Sequence, residues 1–258
     1  MAPAAALTPV QRLARIVYAT LLRLALPAYA LRLWWRGDAE PLYRFALRER
    51  VGVYREAAGG VGWVWVHAVS LGETRAAAAL IDALREQLPG MRLLLTHGTA
   101  TGREAGVTLL RAGDAQAWLP VDTPGAVARF FDHFQPALGV LIETEVWPHL
   151  LLEAERRAIP MVLANARLSE RSARRGERLT GLLRPAAQSI ALVLAQTQLD
   201  AARLYAAGAR RVEVCGNLKF DVTPDAAGLA RGTAWRQAAG RAVVLAASTR
   251  EGEEAALL

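Results

Sequence analysis

From residue 61 to residue 215, short apolar runs alternate with longer helical stretches, and this alternation leaves few folds open. The runs are 61–66 (VGWVWV), 91–96 (MRLLLT), 117–119, 137–142 (ALGVLI), 161–164, 190–195 and 212–215. Each reads as a short buried strand. Between them the pattern predicts helices over 74–88, 102–112, 124–134, 146–158, 169–187 (a long Arg-rich helix) and 199–207. Strands and helices in turn predict an α/β domain over 59–222 with a mostly parallel sheet. Residues 223–241 read as an interdomain linker. A further run at 242–247 (AVVLAA) predicts the start of a second domain, 242–258, that is cut off by the end of the chain.

Absences narrow the chemistry. No G-x-G-x-x-G follows a strand, and neither G-x-x-x-x-G-K-[ST] nor G-x-S-x-G occurs, which argues against dinucleotide dehydrogenases, P-loop enzymes and α/β-hydrolases. One cysteine, Cys215, rules out a disulfide scaffold and a Cys-based zinc site. With only 4 His and no metal-ligand spacing, neither a metal nor a cofactor is expected.

Of the net charge of +7, residues 1–58 hold +5, from nine Arg against four acidic residues. A nucleic-acid binder spreads its basic patch over the folded domain. Here the charge lies in an apolar N-terminal segment, which points to a membrane surface and away from nucleic acid. At about 100° per residue, Arg12, Arg15 and Arg23 fall on one side of a helix and Leu13, Val17, Leu21 and Leu24 on the other. Arg23 interrupts the apolar run, which falls short of the roughly 20 uncharged residues of a span. Pro27 is expected to kink or end the helix. Trp34 and Trp35, between Arg32 and Arg36, suit a headgroup layer. The segment therefore reads as an interfacial or shallowly inserted anchor. Two alternatives stand beside it: a signal peptide cleaved after Ala28-Tyr29-Ala30, and an amphipathic helix packed on its own domain.

In parallel α/β sheets ligands bind at the carboxyl ends of strands, and the unusual segments lie there: 67–74 (HAVSLGET), 96–102 (THGTATG), 143–148 (ETEVWP), 165–172 (NARLSERS) and 216–221 (GNLKFD). Ser70 to Glu73 matches a capping box, S-x-x-E. Glu73 is then either a helix cap or a general base facing the cleft, with Gly72 letting a substrate approach the backbone. Glu143 and Glu145 share a face if the strand continues. Two like charges so placed are costly unless something needs them, and the plainer reading makes Glu145 a cap for the helix near Trp147-Pro148. Lys219 is the only lysine among 31 cations, which hints that a compact ammonium is wanted there. Gly98, Thr99, Thr101 and Gly102 precede a helix and are candidates for anion binding. Arg167, Arg171, Arg174, Arg175 and Arg178 form a stripe at helical spacing, either a solvated face or a phosphate-binding edge.

Together, and in this order, these segments resemble the lipid A 3-deoxy-D-manno-octulosonic acid (Kdo) transferases of Gram-negative bacteria. The matching stretches are HAVSLGE, 96–102, 119–122 (LPVD), ETEVWP, NARLSERS, GNLKFD and 248–254 (STREGEE). His149 and Arg250 depart from the usual Asn and His. The resemblance implies a GT-B glycosyltransferase of two Rossmann-like domains, transferring Kdo from CMP-Kdo to a lipid A precursor with inversion. It implies work at the cytoplasmic face of the inner membrane, in lipopolysaccharide biosynthesis. It makes Glu73 the base, Glu143 and Lys219 the transition-state stabilisers, and Ser70, Gly72, Thr99, Thr101, Gly102, Arg167 and Ser169 substrate-binding. CMP is a good leaving group, so a base and oriented charges suffice. The family's second domain mainly binds CMP, so a chain ending at residue 258 is expected to be inactive alone. Two other readings remain: a membrane-peripheral module that binds anionic lipid without chemistry, and a GT-B enzyme using another activated sugar.

Overall fold

The computed structural model describes residues 7–54, 61–221 and 225–257. Arg55, Glu56 and the expected boundaries at 58/59 and 222/223 lie outside those residues. The chain divides into two units, residues 1–222 and 223–258.

The first unit opens with helix α1 (Pro9–Ala39) and two 3₁₀ turns, Pro41–Arg44 and Leu47–Val51. Strand and helix then alternate: β1 (Trp63–His67), α2 (Leu71–Gln87), β2 (Leu93–His97), α3 (Ala100–Gly106), β3 (Ala115–Trp118), α4 (Pro124–Phe134) and β4 (Pro136–Ile142). They continue as α5 (Pro148–Arg156), β5 (Met161–Ala166), α6 (Glu170–Glu177), α7 (Thr180–Ser189), β6 (Leu192–Ala195), α8 (Gln198–Ala207) and β7 (Val212–Val214). A 3₁₀ turn, Leu218–Asp221, closes the unit. The seven strands form one parallel sheet in the order β3-β2-β1-β4-β5-β6-β7. Successive side chains of a strand point to opposite faces. Trp65, Leu94, Leu141 and Leu163 therefore pack with Phe130, Phe131 and Leu150 on one side. Val66, Leu93, Leu95, Val140 and Ile142 pack with Ile81 on the other. Burial on both faces is what a parallel sheet needs.

Two helices of this unit differ from expectation. Pro27 does not end α1, which runs unbroken through it. A helix-interior proline costs about 3 kcal/mol, but the later half is held by tertiary packing. Leu33 is buried with Tyr43 and Ala100, and Arg44 Nε donates to the Trp34 carbonyl at 2.9 Å. The helix expected over 169–187 is two helices, because α6 buries no side chain whereas α7 buries Leu182, Ala186 and Ala187. Between them the Thr180 hydroxyl takes the Glu177 carbonyl at 2.6 Å. Arg167 precedes α6 and so is not part of a helical stripe.

α1 packs on its unit through Ala19, Leu33 and Gly37. Its opposite face leaves Val10, Leu13, Ile16, Val17, Leu21, Leu24, Leu31, Trp34 and Trp35 exposed. Arg12, Arg23 and Arg32 are exposed as well. Arg15 instead turns inward, its Nη2 lying 3.3 Å from His149 Nδ1. The run read as too short for a span is part of a longer helix: because α1 continues through Pro27, it is long and apolar enough to cross a membrane by length and composition.

In the second unit the stretch expected to be a linker contains α9 (Ala226–Ala239). Its stop signals are legible: Asp225 caps the start, accepting the Gly228 N–H at 2.6 Å, and Gly240 ends it at φ 58°. Residues 242–247 form no strand; a strand needs a neighbour to pair with, and no other strand exists among residues 225–257. A short helix α10 (Glu254–Leu257) follows.

Candidate active site

The sheet order reverses between β1 and β4. The chain builds outward from β1 to β3, then crosses back to β4 and builds the other way. Open parallel sheets bind ligands at such a switch point. The carboxyl ends of β1 and β4 carry His67–Glu73 and Glu143–Glu145.

Ser70 caps α2, and its hydroxyl lies 3.4 Å from the Glu73 amide. The Glu73 carboxylate accepts the Val69 N–H at 2.7 Å and the Ser70 hydroxyl at 2.9 Å. Glu73 thus serves the helix end as a capping residue does, and the residue is still partly exposed. Burial raises its pKa; the Val69 and Ser70 hydrogen bonds oppose that, and the Glu143 charge adds to it. A carboxyl raised toward neutrality is better matched to accepting a proton. Gly72 is exposed in the first turn of α2.

β4 ends at Ile142, and Glu143 turns off it in the left-handed region at φ 66°. The alternation rule therefore does not set the directions of Glu143 and Glu145. Nor does Glu145 cap α5: Asp122 does, accepting the His149 and Leu150 amides at 3.0 and 2.8 Å. Glu145 instead accepts the Trp147 indole N–H at 2.5 Å. Burial pushes its pKa up to about 7; that hydrogen bond opposes the shift, and the Glu73 and Glu143 charges reinforce it.

Lys219 comes from β7, three strands away from β4. The chain after β7 walks back across the strand ends. Asn217 Nδ2 donates to Gln196 Oε1 beyond β6 at 3.2 Å. The Leu218 amide donates to Asn165 Oδ1 on β5 at 3.1 Å. Lys219 Nζ then lies 3.9 Å from Glu143 Oε1, and the 218–221 turn packs on α2. Asn165 itself is left-handed at φ 54°, and its carbonyl accepts the Gln196 side-chain N–H at 3.0 Å. Strained non-glycine backbone at the ends of two adjacent strands is a functional-site signature. Asn165 and Gln196 were not singled out from the sequence, because their partners lie 53 and 31 residues away.

The remaining candidates divide. Thr99 caps α3 through the Gly102 amide at 3.2 Å and donates to the Val69 carbonyl at 2.9 Å. A side chain at Gly102 would meet that carbonyl at 3.0 Å, so glycine lets the 96–102 loop press on the Glu73 loop. Thr101 is exposed on α3. Arg167 is exposed, with its carbonyl taken by the Thr144 hydroxyl, and Ser169 caps α6 through the Ser172 amide at 3.2 Å. The structure thus gathers Glu73, Glu143 and Lys219, with Ser70, Thr99 and Gly102 framing Glu73. Thr101, Arg167 and Ser169 stand outside that cluster. Among the described residues no group of three or more His, Cys, Asp or Glu is arranged to hold a metal ion.

The family model for 3-deoxy-D-manno-octulosonic-acid transferase (kdotransferase) matches residues 46–222. The 3-deoxy-D-manno-octulosonic acid transferase of Bordetella pertussis is 47% identical over 250 residues, covering 93% of this chain and 58% of that protein. Its counterpart in Haemophilus influenzae is 32% identical over 251 residues, covering 95% and 58%. The chain thus spans 58% of the length of each of these relatives. Among solved structures, a UDP-GlcNAc 2-epimerase from Neisseria meningitidis overlaps 60% of this chain and 46% of that one, with TM-score 0.43 and 16% identity. The matched region holds every residue of the Glu73–Glu143–Lys219 cluster, and the chain belongs to the 3-deoxy-D-manno-octulosonic acid transferase family.

Proposed function

We propose that the protein transfers Kdo from CMP-Kdo to a lipid A precursor, with inversion at the anomeric carbon. Glu73 takes the proton of the acceptor hydroxyl as its oxygen attacks. The bond from the anomeric carbon to the phosphate oxygen breaks, and CMP leaves with the electron pair. Glu143 and Lys219 meet the charges that develop: the ammonium faces the anionic groups, and Glu143 holds the ammonium in place. Fixed charges of this kind act where charge appears in the transition state. Ser70, Gly72, Thr99 and Gly102 on the loops that carry Glu73, together with Thr101, Arg167 and Ser169 on neighbouring strand-end segments, bind substrate. The observation that supports this most is the meeting of Glu73, Glu143 and Lys219 at the switch point, from segments 146 residues apart in sequence (73 to 219).

The acceptor is an acylated, phosphorylated disaccharide in a bilayer. The exposed apolar face of α1, bordered by Arg12, Arg23 and Arg32, is suited to the cytoplasmic surface of the inner membrane. The test is full-length protein with CMP-Kdo and lipid A precursor in detergent, read by mass spectrometry. The expected product is the acceptor heavier by Kdo, with CMP released. Vesicle binding without any product contradicts the reading in favour of a lipid-binding module. Product from another nucleotide sugar and none from CMP-Kdo contradicts the donor.

A further inference from the structure

Three carboxylates, Glu73, Glu143 and Glu145, share the proposed site, and the one ammonium beside them, Lys219, stands against Glu143. Like charges this close raise one another's affinity for a proton, so one of the three is the natural place for it. Glu145 is the most enclosed, with 20% of its side chain exposed against 31% for Glu143. Its Oε2 lies 3.8 Å from His67 Nε2. His67 is buried at the end of β1, and Nε2 is a buried atom with no hydrogen-bond partner among the described residues. The ring is fixed from behind. Trp65 Nε1 donates to Thr96 Oγ1 at 2.8 Å, and His67 Nδ1 lies 2.9 Å from that hydroxyl and 3.1 Å from the Thr96 carbonyl. The unpartnered nitrogen is thereby held toward Glu145.

We propose that His67 and Glu145 form a proton-holding pair beside the reacting groups, which carries Glu145 as the neutral acid so that Glu73 is the ionised carboxylate. The idea rests on the reading of Glu73 as base. Two states satisfy the pair. With the proton present and the 3.8 Å separation closed to hydrogen-bond length, the Glu145 hydroxyl donates to Nε2, and Nδ1–H donates to the Thr96 carbonyl. With it gone, Nε2–H donates to the carboxylate, and the Thr96 hydroxyl donates to Nδ1. The two are equilibrium states of the site that differ by one proton, taken from or released to water, with the ring proton on Nδ1 in the first and on Nε2 in the second. Neither contains an imidazolium, which burial disfavours by lowering the His67 pKa to about 3, with the neighbouring His97 and Arg50 acting in the same direction. Glu73, Glu143, His67, His97, Arg50 and, across Glu143, Lys219 are the titratable groups that face the pair.

His67 and Glu145 act here as positioning residues, so the test needs more than activity. The protein is labelled with ¹³C at glutamate carboxyls and ¹⁵N in histidine, and titrated from pH 5 to 9 by NMR. The expected result is one carboxyl with a midpoint near 7 that is missing from Glu145→Gln, with the His67 nitrogens moving at the same midpoint. A missing carboxyl that titrates in the ordinary glutamate range overturns the pair. In the transfer assay, wild-type kcat/KM should fall about 10-fold per pH unit above that midpoint, and Glu145→Gln should lose this alkaline limb. An unchanged limb, or a loss of 10²-fold or more at every pH with an unaltered fold, overturns it too. If wild type shows no transfer at all, the reading of the function fails, and the NMR titration still decides the pair.

Discussion

At the scale of single residues, the site is a balance between burial and hydrogen bonding. Asn165 shows how a residue away from the reacting atoms can matter. Its Oδ1 holds the Leu218 amide, and Lys219 is the next residue. Asn165→Gly keeps the left-handed backbone without strain and removes the buried side chain with that acceptor. A hydrogen bond of this kind contributes about 1 kcal/mol. We expect kcat to fall about 5–10-fold with a small change in thermal melting, while Asn165→Asp, which keeps the acceptor, retains most of the rate. Glu145 gives a stability prediction of definite sign. Its folded pKa, about 7, lies above the unfolded value. The folded state therefore binds the proton more tightly, and the stability this brings is present in acid and lost as pH rises through about 7. Glu145→Gln should raise the melting temperature relative to wild type by several degrees more at pH 8 than at pH 5, on the order of 2 kcal/mol. Equal shifts at both pH values would contradict the burial argument. His97 has the opposite sign. Burial lowers its pKa to about 4, so its contribution is present above the unfolded value and is lost as pH falls.

At the scale of elements, α1 joins two surfaces of different chemistry. One stripe packs through Leu33 into Tyr43 and Ala100, and the other leaves Leu21 and Leu24 exposed. Leu33→Ala should cost about 2–5 kcal/mol of stability, read by denaturant unfolding. Leu21→Asp with Leu24→Asp should leave the melt nearly unchanged and strongly reduce sedimentation with vesicles of anionic lipid. Sedimentation equal to wild type would remove the membrane role from this face. Burial and exposure of neighbouring turns of one helix explain why its hydrophobic pattern alone left several readings open. The pattern showed Leu on one side and Arg on the other, but could not show that Arg15 pairs inward with His149. The break between α6 and α7 was hidden for the same reason: helical periodicity continues across it, while the backbone leaves helical geometry at Leu179 and only α7 is buried.

At the scale of the whole molecule, most of the alternation was legible, because strands buried on both faces leave dense apolar runs such as 137–142. α4 has the bounds its pattern predicts, since Pro124 begins it and Gln135 ends it in the left-handed region. The run 242–247 also read as a strand, yet apolar residues without a neighbouring strand do not make one. Of the site, Glu73, Glu143 and Lys219 were legible by position at strand ends. The Asn165–Gln196–Asn217 bonds that bring Lys219 back across the sheet were not, because they join residues far apart in sequence. Asp122 as the cap of α5 was hidden likewise, 27 residues before the amide it serves. Glu73 is proposed to be a base as well as a helix cap. The measurement is Kdo transfer by the full-length protein, wild type against Glu73→Gln and Glu73→Ala, with melting curves alongside. The expected loss is about 10²-fold or more in kcat for both variants. The melt should drop by no more than a cap is worth, about 1 kcal/mol. Retained transfer with a lowered melt would leave Glu73 a cap alone and rule out its role as base.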